Sequence, residues 1–246
     1  MRTLLVLVLL IPAMVLAEEK KPPPPLLAHS MTLAIPAGQT TKIVLRGMRL
    51  ENLKEIVVQH PQGSGKVTGQ VKKVGVPNGT KPERVGDSEI EIELTIPQEL
   101  PGGFLPIAVM GPGGLSNTIP IGIRDETPIV AEKEPNDSLK QAQAITLPVV
   151  IEGKIERNQD VDVFAFTGQQ GQRVEITLNA ARFHSPLDGL LTLYDADGRV
   201  LKVDDDSIGV DPKISIVLPA TGTYRISLID THDLGSSGSL YRMEAR

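Results

Sequence analysis

The chain contains no cysteine and no tryptophan, and aromatic residues account for only 3% of its 246 positions. Without cysteine no disulfide forms, so an exported form of this protein would be stabilised by its core, its length or a metal. The scarcity of aromatic residues argues against the stacking platforms of single-strand binders. Nucleic-acid binding in general needs clustered Lys and Arg, whereas this chain has a net charge of −5. We therefore expect no nucleic-acid partner.

Catalytic signatures are also absent from the sequence. None of the four histidines has a His or Cys partner at zinc spacing. There is no Gly-x-Ser-x-Gly elbow, no His-Glu-x-x-His motif and no phosphate loop. His184 and Ser185 lie near Asp188 in sequence, but triads are assembled from separate elements, so we interpret this stretch as a loop. The sequence predicts a protein that is not an enzyme.

A secretory signal peptide is predicted at residues 1–17. Arg2 is followed by an apolar run from Leu4 to Leu16, and Ala17 ends a small-residue cleavage pattern. The run is shorter than the roughly 20 residues that a transmembrane helix needs, and an uncleaved anchor is the alternative. No cysteine follows the run, which excludes a lipid anchor, and no later stretch is apolar enough to span a bilayer. The mature protein is expected to be secreted, periplasmic or at the cell surface.

The rest of the chain divides into two halves of different composition. A charged, proline-rich leader at 18–26, expected to be disordered or extended, precedes them. Residues 18–126 carry 12 acidic and 12 basic side chains, whereas residues 127–246 carry 18 acidic and 12 basic ones. Six of the seven aromatic residues also lie in the second half. We predict two domains, at 27–124 and 131–246, joined by a linker at 125–130.

The first half has the alternation of β-strands. Apolar and polar residues alternate most cleanly where Ile90, Ile92 and Leu94 share one face. Glycine and proline separate the predicted strands, which are 31–35, 42–45, 55–59, 66–74, 89–96, 104–110 and 118–123. About seven short strands with such turns are typical of an immunoglobulin-like sandwich.

Two stretches of this half resemble the IPT/TIG type of immunoglobulin-like module. Leu45-Arg-Gly47 leads to Leu50 and then to the strand at 56–58, and residues 109–117 (Val-Met-Gly-Pro-Gly-Gly-Leu-Ser-Asn) are similar to the glycine-rich ending of that module. The resemblance covers residues 27–124. It implies a spacer or interaction module without a catalytic residue.

The second half is also predicted to be β. Its predicted strands are 149–155, 161–167, 173–180, 190–195, 200–204, 213–218, 222–229 and 239–244. A short helix is predicted at 138–144, capped by Asp137 or Ser138, with Leu139 and Ala142 facing inward. Eight strands indicate a jelly-roll-like sandwich. The whole chain is therefore predicted to be all-β, with two β-sandwich domains in tandem.

Two short acidic segments of this half supply oxygen ligands. Residues 132–137 read Glu-Lys-Glu-Pro-Asn-Asp, and residues 160–162 read Asp-Val-Asp. Alternation along an extended stretch puts Glu132 and Glu134 on one face. Hard oxygen donors gathered around one point suit Ca²⁺, which takes about 6–8 of them. The sequence predicts a structural calcium site whose ligands are Glu132, Glu134, Asn136, Asp137, Asp160 and Asp162.

Further motifs lie between these two segments and after them. They are Gly153-Lys-Ile-Glu, Asp162-Val-Phe-Ala-Phe166, Gly171-Gln-Arg-Val-Glu-Ile, Leu193-Tyr-Asp-Ala-Asp-Gly198 and Leu218-Pro-Ala-Thr-Gly-Thr-Tyr224. Together with the acidic segments, they make residues 131–246 similar to the bacterial pre-peptidase C-terminal domain, the family that includes the collagen-binding domains of clostridial collagenases. The resemblance implies a β-sandwich whose N-terminal segment is tied down by Ca²⁺. Collagen binding does not carry over, because the chain has no tyrosine cluster.

The resemblance also implies a ligand set, which falls on Glu132, Glu134, Asn136, Asp137 and Asp162. One family position that holds an Asp falls on Gln159 here, and the adjacent Asp160 is expected to replace it. This departure counts against the second ion of a two-ion site more than against the first. Because the ligands lie next to the linker, a bound ion would set the relative orientation of the domains. The alternative is that these acids form a solvated linker and a helix cap.

Two other acidic stretches are interpreted without a metal. Asp195-Ala-Asp-Gly198 begins like an EF-hand loop but lacks the Glu at its twelfth position, so it predicts a β-hairpin turn. The run Asp204-Asp-Asp206 with Asp211 is interpreted as a solvated loop, and a second cation site is the alternative.

These features together predict a secreted, non-catalytic binding or adhesion protein. Its partner would be an extracellular polymer or a cell-surface protein or glycan, or it would assist a separate secreted protease. Two alternatives stay open, namely a secreted hydrolase with an unrecognised site and a structural component of the cell envelope.

Overall fold

The computed structural model describes residues 21–78, 80–98, 100 and 103–246. The predicted signal peptide at 1–17 and the first part of the leader lie outside the described residues. Within this part of the chain, nearly all regular structure is β-strand, which confirms the prediction of an all-β protein. None of its helices is long and apolar enough to cross a membrane.

The first half contains ten strands and one short helix. They are β1 (Leu26–Ser30), β2 (Ala34–Pro36), β3 (Thr40–Met48), β4 (Glu55–Val58), β5 (Ser64–Val67), β6 (Lys72–Lys73), α1 (Pro82–Val85), β7 (Ser88–Thr95), β8 (Gly103–Gly111), β9 (Gly114–Leu115) and β10 (Ile119–Arg124). The alternation in β7 is confirmed, because its isoleucines and Leu94 are buried and the glutamates between them are half-buried. Alternation does not predict β1, because four of its five residues are buried in succession.

These strands form one continuous ladder, whereas the predicted immunoglobulin-like sandwich has two separate sheets. The hydrogen-bonded order is β1-β3-β7-β5-β4-β8-β10-β2, with β6 added to β7 and β9 to β8. The Asn117 side chain, just before β10, exchanges two hydrogen bonds of 2.8 Å with the Leu27 backbone of β1. The sheet is therefore rolled, and buried residues from both parts of the ladder share one core.

The second half contains ten strands and a 3₁₀ turn. They are β11 (Ile129–Ala131), β12 (Gln143–Ala144), β13 (Val149–Lys154), β14 (Asp162–Gly168), β15 (Arg173–Asn179), η1 (Ala181–Phe183), β16 (Gly189–Tyr194), β17 (Val200–Asp204), β18 (Lys213–Val217), β19 (Gly222–Asp230) and β20 (Leu240–Ala245). All eight strands predicted from the sequence are present, with ends that differ by no more than one residue.

These ten strands form two sheets that pack face to face. Their orders are β11-β13-β20-β15-β18 and β12-β14-β19-β16-β17. One cluster of buried residues draws on both sheets, with Ile151 and Met243 from the first and Phe164 and Leu191 from the second. The apolar alternation along each strand points its inward residues into this shared core.

The helix predicted at 138–144 is wrong. A single turn, in which Gln141 N donates to Ser138 O at 2.9 Å, leads directly into β12. Gln143 and Ala144 of β12 pair in parallel with Phe164 and Ala165 of β14. Pairing with the sheet thus replaces the second turn of the helix, because intrinsic helix propensity is a weak preference that tertiary contacts override.

The segment predicted as a linker at 125–130 is partly strand. Ile129 and Val130 belong to β11, which pairs in parallel with β13, and Val150 N donates to Pro128 O at 2.8 Å. The connection between the halves is therefore bound to the second sandwich along part of its length.

The two halves also contact each other directly. The rings of Phe104 and Phe183 meet edge to face with centroids 5.1 Å apart. Arg124, at the end of β10, forms an ion pair with Glu152 of β13 at 2.8 Å. Arg84 Nη2 donates to the backbone of the second half at 3.2 Å. These contacts join the halves directly. The orientation set by calcium that the sequence led us to expect stays a prediction.

Candidate metal centre

The first acidic segment crosses from an edge strand of one sheet to an edge strand of the other. It follows β11 and precedes β12, each of which is the first strand in its sheet order. Glu132 N donates to Glu152 O of β13 at 2.9 Å, and Val163 N of β14 donates to Asn136 O at 3.0 Å. Backbone hydrogen bonds thus fasten the segment to both sheets and aim its side chains at the start of β14.

The structure brings the predicted acids together in two groups. Asp160 precedes β14 and Asp162 is its first residue, so both face the acidic segment. Within each group, carboxylate oxygens lie within 4.8 Å of one another. The inner group is Glu132, Glu134 and Asp162, and the outer group is Glu134, Asp137 and Asp160. Whether the groups bind an ion stays a prediction.

Asp162 forms the buried end of the inner group. Asp162 is fully buried, and the Tyr241 hydroxyl donates a hydrogen bond to its Oδ2 atom at 2.6 Å. Burial raises the pKa of Asp162 to about 8, the Tyr241 hydrogen bond opposes this, and the charge of Glu132 adds to it. Burial also raises the pKa of Tyr241 well above its ordinary value. The inner group therefore holds a carboxylate that lacks a positive partner.

Glu132 and Asp160 each contain an unsatisfied oxygen. Glu132 Oε1 and Asp160 Oδ1 are buried without a hydrogen-bond partner. Burial raises the pKa of Glu132, and the neighbouring charge of Glu134 raises it further. Asp160 Oδ2, by contrast, accepts from Glu156 N at 2.6 Å. A buried acceptor without a donor is unfavourable, so the two free oxygens are suited to a cation.

Asn136 adds a neutral ligand position to the inner group. The residue is fully buried, and one end of its amide faces Glu134 Oε2 at 3.1 Å and Asp162 Oδ1 at 3.2 Å. With nitrogen at that end, the amide donates to both carboxylates. In that orientation the other end of the amide is satisfied as well, so the side chain bridges two acids of the inner group by hydrogen bonds alone. As an oxygen ligand to a cation, Asn136 would have to turn its amide over.

The outer group already has a positive partner, Arg157. Its guanidinium contacts Glu134 Oε1 at 3.3 Å and Asp160 Oδ1 at 3.1 Å, and it also hydrogen-bonds Asp137 Oδ1. The contact with Asp160 is a charge pair without hydrogen-bond alignment, which is why this oxygen also counts as unsatisfied. The charges of Asp160, then of Asp137 and Glu134, raise the pKa of Arg157.

Sequence reasoning missed Arg157 and Tyr241. Arg157 lies three residues before Asp160, so its basic side chain in an acidic loop was a usable signal. Tyr241 lies on β20, in the sheet opposite Asp162, and only the packing of the two sheets brings the side chains together, so no local pattern indicates it. Gln159, the departure from the family pattern, is exposed with a left-handed φ of 62°. It belongs to neither acidic group.

The other acidic stretches have structural roles. Asp195 Oδ1 accepts the backbone N–H groups of Asp197 and Arg199, each at 2.9 Å, at the turn between β16 and β17. This confirms the predicted hairpin turn. Asp211 is fully buried, and its oxygens accept backbone N–H groups at the start of η1. Among the described residues, neither stretch belongs to a group of acids close enough to hold an ion.

Residues 160–229 match the family described as the bacterial pre-peptidase C-terminal domain. A probable subtilase-type serine protease of Deinococcus radiodurans is 37% identical over 94 residues. That match covers 37% of this chain, and the chain spans only 13% of the length of this curated relative.

Two solved structures were also found as neighbours. The pre-peptidase C-terminal domain of collagenase from Bacillus anthracis is 12% identical, covering 50% of this chain and all of that domain, with a TM-score of 0.36. The SGBP-B protein of a Bacteroides ovatus mixed-linkage glucan utilization locus is 10% identical, covering 87% of this chain and 72% of that protein, with a TM-score of 0.25. Both TM-scores are low, so the family resemblance rests on the sequence match.

Proposed function

We propose that this protein is a secreted, non-catalytic binding or accessory factor whose second half is a calcium-stabilised domain of the pre-peptidase C-terminal type. The observation that carries the metal is the convergence of the inner group on the buried amide of Asn136. The family match at 160–229 supports a secreted binding or accessory role.

The chemistry of the inner group fits a hard cation. Its donors are all oxygen atoms, with no nitrogen or sulfur ligand among them. Ca²⁺ accepts such donors in flexible geometry at about 2.3–2.6 Å, and water completes its shell. Glu132, Glu134 and Asp162 would be carboxylate ligands, and Asn136 would turn its amide oxygen inward. A bound Ca²⁺ supplies the positive charge that these desolvated oxygens lack.

The chain's own contacts hold the proposed ligands in place. Tyr241 donates to Asp162 Oδ2 and leaves Oδ1 facing the centre. Asn136 N donates to Glu134 Oε2 at 3.0 Å, which orients that carboxylate. Because Asn136 O also accepts from Val163 of β14, an ion at this point would tie the acidic segment to the first strand residues of the second sheet.

The proposed partner is an extracellular polymer or a cell-surface protein or glycan. The partial match to a subtilase-type protease supports an accessory role beside a separate secreted protease. On this proposal calcium is structural, and the partner binds to the sandwich surfaces of either half.

Thermal unfolding with and without calcium tests the metal. The purified protein is unfolded in excess EDTA and in millimolar Ca²⁺, and linkage predicts about 2.7 kcal/mol of stabilisation at a hundredfold excess over Kd. The Glu132→Ala/Glu134→Ala variant is expected to lose this increase. A matched control is Glu55→Ala/Glu83→Ala, which removes two exposed glutamates of the first half and keeps the increase.

The outcomes separate the proposal from the solvated-linker alternative. A calcium-dependent increase that only the Glu132/Glu134 variant loses supports the centre. No increase in the wild-type protein rejects it, and an equal loss in both variants assigns the effect to general surface charge.

Cosedimentation tests the partner. The protein is mixed with insoluble polysaccharides, peptidoglycan and protein fibres in calcium, and a protease assay is run in parallel. Retention on one polymer without hydrolysis supports the binding role, whereas turnover of any substrate by the pure protein rejects the non-catalytic assignment.

A further inference from the structure

Arg157 takes the position that a second cation would need. Its guanidinium spans the outer group and contacts each of its members, Glu134, Asp137 and Asp160. These carboxylates come from both acidic segments, so one side chain bridges the segment before β12 and the loop before β14. Its charge meets the oxygens that would otherwise surround an ion.

The loop backbone holds Arg157 in this position. Arg157 O accepts from Asp160 N at 3.3 Å, and Gln159 N donates to Asp233 O at 3.0 Å. On the other side, the backbone of Arg157 packs so closely on Gly235 that a Cβ atom there would lie 2.0 Å from Arg157 O. Both sides of the loop are thereby fixed, and the side chain projects over the outer group.

Glu134 belongs to both groups, and its two carboxylate oxygens face different ways. Oε1 contacts Arg157, whereas Oε2 faces the Asn136 amide in the inner group. Among the described residues, the inner group has no ion pair with Lys, Arg or His apart from the one that Glu134 forms with Arg157, although the charge of Lys154 acts on Glu132 from a greater distance. The outer group therefore has a cationic side chain in direct contact with all three of its acids, and the inner group has none of its own.

We propose that the Arg157 guanidinium serves as a built-in cation in the outer group, so that the centre takes a single divalent ion, in the inner group. This inference rests on the calcium centre proposed above. A planar guanidinium offers five donors that match carboxylates in fixed directions. Because it is tethered at the site, it competes with a dissolved ion at high effective concentration.

Counting bound ions tests this proposal. Isothermal titration calorimetry and native mass spectrometry with Ca²⁺ are expected to give one ion for the wild-type protein and two for Arg157→Ala. Arg157→Gln, which keeps a polar side chain of similar length without the charge, is also expected to bind two. The control Arg199→Ala removes an arginine whose side chain is 76% exposed and paired with Asp197, and it keeps one ion.

The outcomes are distinct for the two proposals. No ion on the wild-type protein rejects the calcium centre together with this inference. Two ions on the wild-type protein keep the centre and overturn the role of Arg157. One ion on both the wild-type protein and the Arg157 variants also overturns it, because the outer group then lacks the ligands for a metal.

Stability in EDTA gives an independent readout. If Arg157 offsets the mutual repulsion of the three acids in the outer group, both Arg157 variants unfold at a lower temperature than Arg199→Ala when no metal is present. Millimolar Ca²⁺ is expected to raise the unfolding temperature of the Arg157 variants by more than it raises that of Arg199→Ala. Equal unfolding temperatures for all variants in EDTA would contradict this stabilisation of the outer group by Arg157.

Discussion

His29 makes the stability of the fold depend on pH. The side chain is fully buried next to Gly238 of the second half, and its Nε2 atom has no hydrogen-bond partner. Burial lowers the pKa of His29 from 6.5 to about 4. A hydrogen bond with Ser30 O opposes this effect, while the charges of Arg46 and His184 add to it. The folded protein therefore keeps this imidazole neutral.

The direction of the pH effect follows from the lowered pKa. As the pH falls, the unfolded chain takes up this proton near 6.5, whereas the folded protein resists it until about 4. The contribution of neutral His29 is complete above about pH 6.5 and is lost progressively towards about pH 4. Protonation of His29 is therefore expected to lower the free energy of unfolding, relative to neutral pH, by about 2 kcal/mol at pH 5 and by about 3 kcal/mol below pH 4.

Replacement of the imidazole isolates this contribution. Urea unfolding in EDTA, followed by far-ultraviolet circular dichroism, is compared for the wild-type protein, His29→Gln and the control His232→Gln, whose side chain is 70% exposed. Between about pH 7.5 and pH 5, the wild type and the control are expected to lose about 2 kcal/mol more than His29→Gln. The three proteins contain the same carboxylates, so parallel stability curves would refute the buried, neutral His29.

Three further substitutions have defined outcomes. Tyr241→Phe removes the hydrogen-bond donor to buried Asp162. It is expected to lower the free energy of unfolding in EDTA by about 1–3 kcal/mol, measured by urea titration. An unchanged urea midpoint would contradict this expectation. Gly153→Ala places a Cβ atom 2.5 Å from the Tyr241 hydroxyl, so the variant should bind Ca²⁺ more weakly by calorimetry, and unaltered affinity would show that the site adapts. Asp211→Asn weakens the pair between Asp211 and Arg182, whose Nε atom donates to Asp211 at 2.7 Å. The substitution should lower the free energy of unfolding by about 3 kcal/mol in the same urea titration, and a change near zero would disprove the pairing.

The strands of the second half could be predicted because their burial alternates. In β15 and β19, inward residues fill the shared core and the outward ones are polar except Ile229, so a period of two in the sequence locates both strands. The parallel pairs β11–β13 and β12–β14 could not be predicted. They contain three and two residues, and each is stabilised by a partner distant in sequence.

The candidate centre could be predicted in part for the same reason. Glu132, Glu134 and Asp162 were identifiable because oxygen ligands concentrate in two short segments whose composition is unusual. Tyr241 was not, because its hydroxyl reaches Asp162 only through the face-to-face packing of the two sheets that contain β20 and β14. The Arg157 contact depends on a tight loop geometry, although its charge was visible in the sequence.

The pairing of β11 has a consequence for how the connection between the halves resists proteolysis. A protease binds its substrate as an extended strand, so a cleavable connection must first leave whatever it is paired with. The connection between the halves, with its Pro128 and exposed charges, has the composition of a cleavage site. Yet Ile129–Ala131 is already hydrogen-bonded to β13. We expect limited proteolysis to cut this connection only after the edge of the second sandwich has opened.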